Sequence, residues 1–170
     1  DSSLGLAVHS GIVTGYLVAY GTEEQKRRWL PGIADGTGTM AFAITEPDAG
    51  TNSHNITTTA RRDGDEWVIN GQKLFITNGT WADVALVFAR TSDDGPRGVT
   101  AFLVPTDTPG FEAREIKGKL GLRGQATAEL SLDDVRVPAS AMLGAEGEGF
   151  RVAMQSLDKG RVSVAAGCVG

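Results

Sequence analysis

Apolar residues recur at helical spacing near the start of the chain. The positions are Leu4, Leu6, Val8, Ile12, Val13, Leu17 and Val18. This broad stripe predicts a helix buried on more than one side, and Gly21 is expected to end it. Residues 22–25 have the form of a capping box that begins a second helix. We expect Pro31 to start its own helical turn rather than lie within that helix, and Gly36 to end the segment.

From Thr39 onward the pattern changes to short apolar or alternating runs separated by turn residues. Besides a first strand near residue 42, runs typical of strands cover residues 56–61, 66–70, 72–78, 84–89, 98–104, 111–116 and 128–137. Asp63-Gly64 predicts a hairpin, and Gly71 is expected to separate two strands. Residues 84–89 are apolar at every position, as in an inner strand. About seven strands at such intervals predict a small antiparallel barrel or sandwich.

A helical period returns after Glu148 and is still running at Gly170. The order of helices, strands and helix predicts an α+β fold in which an antiparallel, barrel-like β domain is flanked by helices. We expect a helical unit over residues 1–37, a β domain over 38–140 and the start of a helical bundle over 141–170, truncated at both ends.

Composition excludes several classes of function. The net charge of −5 argues against a nucleic-acid footprint. The chain has no apolar run of membrane-spanning length and does not open on a secretory signal, so a soluble protein is expected. A single cysteine, Cys168, leaves no internal disulfide and favours a reducing compartment, the cytoplasm or the mitochondrial matrix.

The most informative stretch is Met40 to Thr51, MAFAITEPDAGT. A buried strand runs into Thr45 and is ended by Pro47, after which Asp48 and Gly50 favour a tight turn. A strand end that opens into such a small-residue loop suits a flat, polar-edged cofactor, since glycine permits close approach and threonine hydroxyls can hydrogen-bond. From these residues alone, a strand followed by a surface turn is the simpler interpretation.

Five motifs in order resemble the acyl-CoA dehydrogenase family. They are GTEEQK (21–26), AITEPDAGT (43–51), NGQKLFITNG (70–79), KLGLRG (119–124) with DVRVP (134–138), and LDKGR (157–161). The resemblance covers essentially the whole chain. It implies an FAD enzyme that oxidises an acyl-CoA thioester to the trans-2-enoyl-CoA, a carboxylate removing the α-proton while the flavin takes the β-hydride.

The resemblance also implies which residues hold the ligands. The flavin positions are Phe42, Ala43, Ile44, Thr45, Gly50, Thr51, Phe75, Ile76 and Thr77. Thr45 and Thr77 end apolar strands, where a hydroxyl can bond the polar edge of the ring, and Phe75 supplies flat apolar area. Thr51 is also expected to contact the acyl-CoA. Asp158 and Arg161, which on their own would be a solvated pair three residues apart, become candidate substrate ligands.

No catalytic base is expected within these residues. In most family members the base is a Glu in the C-terminal bundle; in a minority it takes the position matched here by Gly160, which cannot abstract a proton. Glu46 is expected instead to fix its turn through backbone hydrogen bonds.

Several positions depart from the family's usual residues. Asn52 stands where Asp is usual, Gln125 replaces a common Ser, and Phe75 occupies a position that is often Trp.

An electron-transferring flavoprotein is the partner that the resemblance implies, with a homodimer or homotetramer as the assembly. The alternative is a flavin-binding relative without dehydrogenase activity, either oxidase-like or a scaffold for interactions.

Overall fold

The computed structural model describes residues 7–169, apart from the side chains at positions 7, 10, 54, 156, 158, 159, 163, 164, 167 and 168. A π-helical segment, Ala7–Val13, leads directly into helix α1 (Thr14–Tyr20), and Gly21 ends α1 as predicted. Helix α2 is Glu23–Asp35. The predicted capping box is confirmed: Gln25 N–H donates to Thr22 Oγ1 (3.2 Å), and Thr22 N–H donates to Gln25 Oε1 (2.9 Å).

The prediction for Pro31 was wrong, because it lies inside α2. A proline there removes the hydrogen bond that its N–H would make to the carbonyl of Arg27, one turn earlier. Both residues lie on the exposed face of α2. Water can therefore reach the freed carbonyl, and the helix continues until Gly36 ends it in a left-handed conformation (φ 80°).

Within the described part of the chain, eight strands form one sheet. They are β1 (Met40–Ala43), β2 (Thr59–Asp63), β3 (Glu66–Thr77), β4 (Val84–Arg90), β5 (Val99–Pro105), β6 (Phe111–Glu115), β7 (Thr127–Pro138) and β8 (Met142–Leu143). Hydrogen-bonded neighbours follow the order β6-β7-β3-β2-β4-β5-β8, and β1 pairs with β4. Helix α3 (Gly149–Val169) follows the sheet. No helix within the described residues is long and apolar enough to cross a membrane.

The α+β class is confirmed, but the sheet is open and mixed rather than closed and antiparallel. Strand β1 runs parallel to β4 along its length, and β2 meets the same edge of β4 at Thr59, also in parallel. Parallel neighbours need long connections, so the sequence holds no turn signal for them. The β6 edge is largely exposed and carries Glu112, Arg114 and Glu115, charges that discourage further pairing.

Strand β4 separates two apolar clusters. Ala85, Val87 and Ala89 face one cluster, together with buried side chains of β2, β3, β5 and β7. Val84, Leu86 and Phe88 face the other, which α1 and α3 cover. The apolar run at 84–89 therefore is the inner strand that the sequence predicts.

Gly71 does not separate two strands, since β3 continues through it. Its φ is 152°, and the pairing with β7 shifts register beside it. A Cβ added at Gly71 would lie 2.4 Å from Thr58 Oγ1 and 2.7 Å from Thr58 Cα. Glycine is required here because another segment of backbone passes directly over the strand.

Gly71→Ala is therefore expected to lower the free energy of unfolding by about 1–3 kcal/mol through overpacking, in addition to its backbone strain. Urea denaturation of the purified protein measures the loss. Gly64→Ala is the matched control, because Gly64 also has a positive φ (62°) but a Cβ there would meet nothing within 4 Å. Equal losses for the two variants would contradict the close approach at Thr58.

Candidate functional site

A cleft of about 510 Å³ opens where the ends of β1 and β3 meet the π-helical segment and α3. Its lining is Val8, Ile12, Phe42, Ile44, Thr45, Gly50, Thr51, Ser53, Phe75, Ile76, Thr77, Met154, Leu157 and Arg161. Apolar side chains dominate, with three threonines, one serine and one guanidinium among them. A mostly apolar hollow with a few polar groups is the usual form of a ligand site.

The structure brings most of the predicted site residues into this cleft. Thr77, the last residue of β3, lines it, and so does Thr45, although β1 ends at Ala43 rather than running into Thr45 as predicted; Phe75 and Arg161 line it as well. Ala43 does not: its side chain lies on the opposite face of β1, fully buried in the core. The predicted substrate residue Asp158 belongs to α3, but its side chain is outside the described residues.

The loop after β1 has the predicted tight turn. Glu46 and Ala49 exchange backbone hydrogen bonds of 3.2 Å in both directions, with Pro47 and Asp48 between them. The N–H of Leu74 donates to the carbonyl of Thr45 (2.9 Å). That bond holds the loop beside β3, so the two predicted ligand-binding segments form one wall.

A buried ion pair lies beneath this wall. Lys73 Nζ and Glu46 Oε1 are 2.7 Å apart, and both side chains are almost wholly excluded from solvent. The Lys73 ammonium also donates to the carbonyls of Phe88 (2.6 Å) and Ile44 (3.4 Å), which uses all three of its protons. One fixed charge pair thus joins the loop after β1, β3 and β4.

Glu46 makes the expected backbone hydrogen bonds, but to a later segment than its own turn. Its carboxylate accepts the N–H groups of Thr57 (2.6 Å) and Thr58 (3.1 Å) and the hydroxyl of Thr57 (2.8 Å). Burial alone would raise the pKa of this carboxyl, but the Lys73 ammonium and these donors lower it below its usual value. A carboxylate held in the ionised form by so many donors is a poor proton acceptor.

The pKa of Lys73 is also shifted. Burial lowers the pKa of Lys73 to about 8, against the opposing effect of the Glu46 carboxylate. The ammonium therefore remains protonated at neutral pH, and the pair is ionised.

Phe75 and Asn78 have left-handed backbone conformations, with φ of 58° and 62°, on either side of Ile76-Thr77. The pairing of β3 with β7 shifts register between Lys73 and Ile76, so β3 has an extra residue there. This bulge leaves the Phe75 side chain 62% exposed at the cleft. A strained, exposed aromatic in a strand is a mark of a functional surface.

The opposite wall of the cleft comes from helices. Val8, Ile12, Met154 and Leu157 line it, and the sequence predicted a ligand-binding role for none of them. No signal in their spacing distinguishes a side chain that faces a cleft from one that packs in a core. Gly160 is buried on the same helix, and a Cβ there would lie 2.8 Å from Ile12 Cδ1.

His9 helps to fix β1 beside this wall. It is buried, and its Nδ1 accepts the N–H of Met40, the first residue of β1, at 3.0 Å. Burial lowers the pKa of His9, which favours the neutral ring that can accept this bond. His9 therefore has a structural role at the start of β1.

Comparison with known proteins identifies the family. The model of the acyl-CoA dehydrogenase middle domain matches residues 41–135, and that of the N-terminal domain matches residues 1–37. Acyl-CoA dehydrogenase FadE12 of Mycobacterium tuberculosis is 48% identical over 99% of this chain, which spans 44% of that relative. This chain thus corresponds to less than half the length of such relatives.

Two solved structures have the same fold. Butyryl-CoA dehydrogenase from Megasphaera elsdenii superposes with a TM-score of 0.93 at 42% identity, over 96% of this chain and 43% of that one. Glutaryl-CoA dehydrogenase from Mycobacterium smegmatis, in complex with FADH2, has a TM-score of 0.82 at 49% identity, over 89% of this chain and 38% of that one. The chain belongs to the acyl-CoA dehydrogenase family.

Proposed function

We propose that this chain is the flavin- and substrate-binding core of an FAD-dependent acyl-CoA dehydrogenase, which converts an acyl-CoA thioester to the trans-2-enoyl-CoA. One observation carries the proposal: two threonines, Thr45 and Thr77, line the same cleft as the exposed ring of Phe75. Such a set offers hydrogen-bonding hydroxyls for the polar edge of a flat ring and an aromatic surface for its face.

The lining residues fit a flavin in size and chemistry. Ile44 and Ile76 supply apolar area beside the two hydroxyls, and Gly50 leaves open space, since a Cβ there would meet nothing within 4 Å. FAD, when bound, supplies the acceptor for the β-hydride. The residues of this chain hold and orient the ring and exclude water from the apolar side of the cleft.

The acyl-CoA is expected to occupy the part of the cleft between the loop and α3. Thr51 lies on the loop side and can hydrogen-bond the acyl-CoA, while the Arg161 guanidinium on α3 offers a positive charge to the thioester or the CoA moiety. Asp158 is proposed as the companion of Arg161 on the same helix. We further propose that the base lies outside these 170 residues in the whole protein, because Gly160 carries no carboxylate.

The same proposal implies an electron acceptor, an assembly, a location and a division into domains. Electrons pass to an electron-transferring flavoprotein, and the whole protein assembles as a homodimer or homotetramer in the cytoplasm or mitochondrial matrix. Residues 1–37, 38–140 and 141–170 are proposed as parts of an N-terminal helical domain, a middle β domain and a C-terminal bundle.

Anaerobic titration of the full-length, FAD-loaded protein with a panel of acyl-CoAs tests the function. At least one acyl-CoA is expected to bleach the visible flavin absorbance, whereas free CoA leaves it unchanged. Admitting air afterwards separates a dehydrogenase from an oxidase, since only the oxidase returns to the oxidised spectrum quickly and forms hydrogen peroxide. A protein that holds FAD but is bleached by no acyl-CoA is a flavin-binding relative, and the proposal then fails.

A further inference from the structure

A side-chain hydrogen bond at the end of β3 involves Thr77, one of the two threonines proposed to bind the flavin. The proposed chemistry does not require this bond. Gln125 Nε2 donates to Thr77 Oγ1 at 3.0 Å. Thr77 lines the cleft and is half-buried, whereas Gln125 lies behind it, 5% exposed and outside the cleft lining.

The direction of this bond decides what the hydroxyl can do. A threonine hydroxyl has one proton to donate and two lone pairs that accept. Because Gln125 occupies the accepting side, the hydroxyl proton is the group left to be paired. Among the described residues, no acceptor for that proton is found. The cleft is where an acceptor can reach it.

Gln125 is held firmly enough to impose this orientation. Its N–H donates to the carbonyl of Leu122 (3.1 Å), and its own carbonyl accepts from the Lys119 ammonium. Immediately beyond it, the carbonyl of Ala126 accepts the N–H of Asn78 (2.9 Å). These bonds fix the backbone of the segment next to the end of β3, and the burial of Gln125 leaves its carboxamide little room to move away from Thr77.

The carboxamide oxygen of Gln125 indicates that the residue is not there for stability alone. Gln125 Oε1 is buried and has no hydrogen-bond partner among the described residues. A buried polar atom without a partner costs free energy, and a shorter or apolar residue would avoid that cost. The glutamine is thus better explained by what its nitrogen does to Thr77 than by the stability of its own surroundings.

We propose that Gln125 is a positioning residue that makes Thr77 a hydrogen-bond donor to an acceptor atom on the edge of the bound flavin ring. This inference rests on the proposed function. The acceptor is a ring carbonyl oxygen, which keeps its lone pairs when the ring is reduced, and donation to it stabilises the electron density that the ring gains. Loss of the orienting bond therefore weakens the binding of reduced flavin relative to oxidised flavin, without removing the hydroxyl itself.

The test compares the flavin midpoint potentials of full-length, FAD-loaded variants. Thr77→Val, which removes the hydroxyl, is expected to lower the relative affinity for reduced flavin about tenfold, equivalent to a drop of about 30 mV. Gln125→Met keeps the size and removes the bond, and a drop of about threefold, or about 14 mV, is expected. The double variant is expected to match Thr77→Val alone, because Gln125 acts through that hydroxyl.

Controls separate positioning from general damage. Gln72→Met makes the same change at an exposed glutamine of β3 outside the cleft lining and is expected to leave the potential unchanged. Thr77→Ser keeps a hydroxyl and is expected to retain most of the wild-type potential. FAD stoichiometry and thermal unfolding are measured for every variant, so that loss of folding is recognised.

Four outcomes overturn the inference. A rise in potential for Gln125→Met means that the glutamine accepts the Thr77 proton and withholds it from the cleft. An unchanged potential for Gln125→Met, or additive drops in the double variant, means that Gln125 does not act through Thr77. If the wild-type protein holds no FAD, the proposed function is wrong as well. If the protein holds FAD and the variants give any of the other results, only the role of Gln125 is wrong and the proposed function stands.

Discussion

Replacing Lys73 by methionine is expected to destabilise the protein by about 3–5 kcal/mol. The substitution keeps most of the length of the side chain but leaves the Glu46 carboxylate buried without its counter-ion, which is the costly way to break a buried pair. The carbonyls of Phe88 and Ile44 lose their donor at the same time. Urea denaturation followed by far-UV circular dichroism measures the loss.

Two further variants identify the cause. In the double variant Glu46→Gln/Lys73→Met the buried charge is absent, and the amide oxygen that replaces the carboxylate can still accept from the backbone of Thr57 and Thr58. This variant is therefore expected to lose less stability than Lys73→Met alone. Arg114→Met breaks the exposed pair with Glu129 (2.7 Å) and is expected to change stability little. If the double variant is no more stable than Lys73→Met, unpaired charge is not the cause.

Replacing Phe75 by glycine is expected to separate folding from binding. Glycine adopts the left-handed conformation without the penalty of about 1–2 kcal/mol that other residues meet, and the lost ring is mostly exposed. The free energy of unfolding is therefore expected to stay within about 1 kcal/mol of the wild type or to rise. Affinity for FAD is expected to fall tenfold or more, because covering a phenylalanine is worth about 1.5–3 kcal/mol.

Matched variants show which property of Phe75 matters. Phe75→Ala also removes the ring but keeps a Cβ, so it should bind FAD as weakly as Phe75→Gly while unfolding more easily. Phe75→Trp keeps an aromatic surface and should retain FAD. Fluorescence titration of the full-length apoprotein with FAD gives the affinities. Wild-type affinity in Phe75→Gly would remove the ring from the proposed site.

Local signals predicted the parts of the fold that local chemistry determines. The capping box at Thr22 and Gln25 needs only residues three apart, and the hairpin at Gly64 needs only a two-residue turn between alternating strands. The apolar run at 84–89 predicted a strand covered on both faces because each alternate set must be buried. None of these depends on distant parts of the chain.

The remaining features depend on contacts between segments far apart in sequence. Gly71 resembles a strand break until Thr58 is seen to pass over it, and Pro31 resembles a helix start until Pro31 and Arg27 are seen to face water. The left-handed conformation of Phe75 arises from a bulge against β7, which periodicity cannot reveal. The family resemblance supplied most of the cleft positions on β1, β3 and the loop after β1, but neither those on the opposite wall nor the ion pair beneath, whose partners are separated by 27 residues.

The segment between β1 and β2, residues 44–58, leaves the edge of β4 and returns to it, since both strands lie along that edge. Its first end is held at Thr45 by a hydrogen bond from β3, and its last end is held at Thr57 and Thr58 by the Glu46 carboxylate. The middle of the segment, residues 50–52, is exposed. Residues 50–52 can therefore be substituted without disturbing the sheet. Substitutions there would change one side of the cleft and leave the bonds that anchor the segment in place.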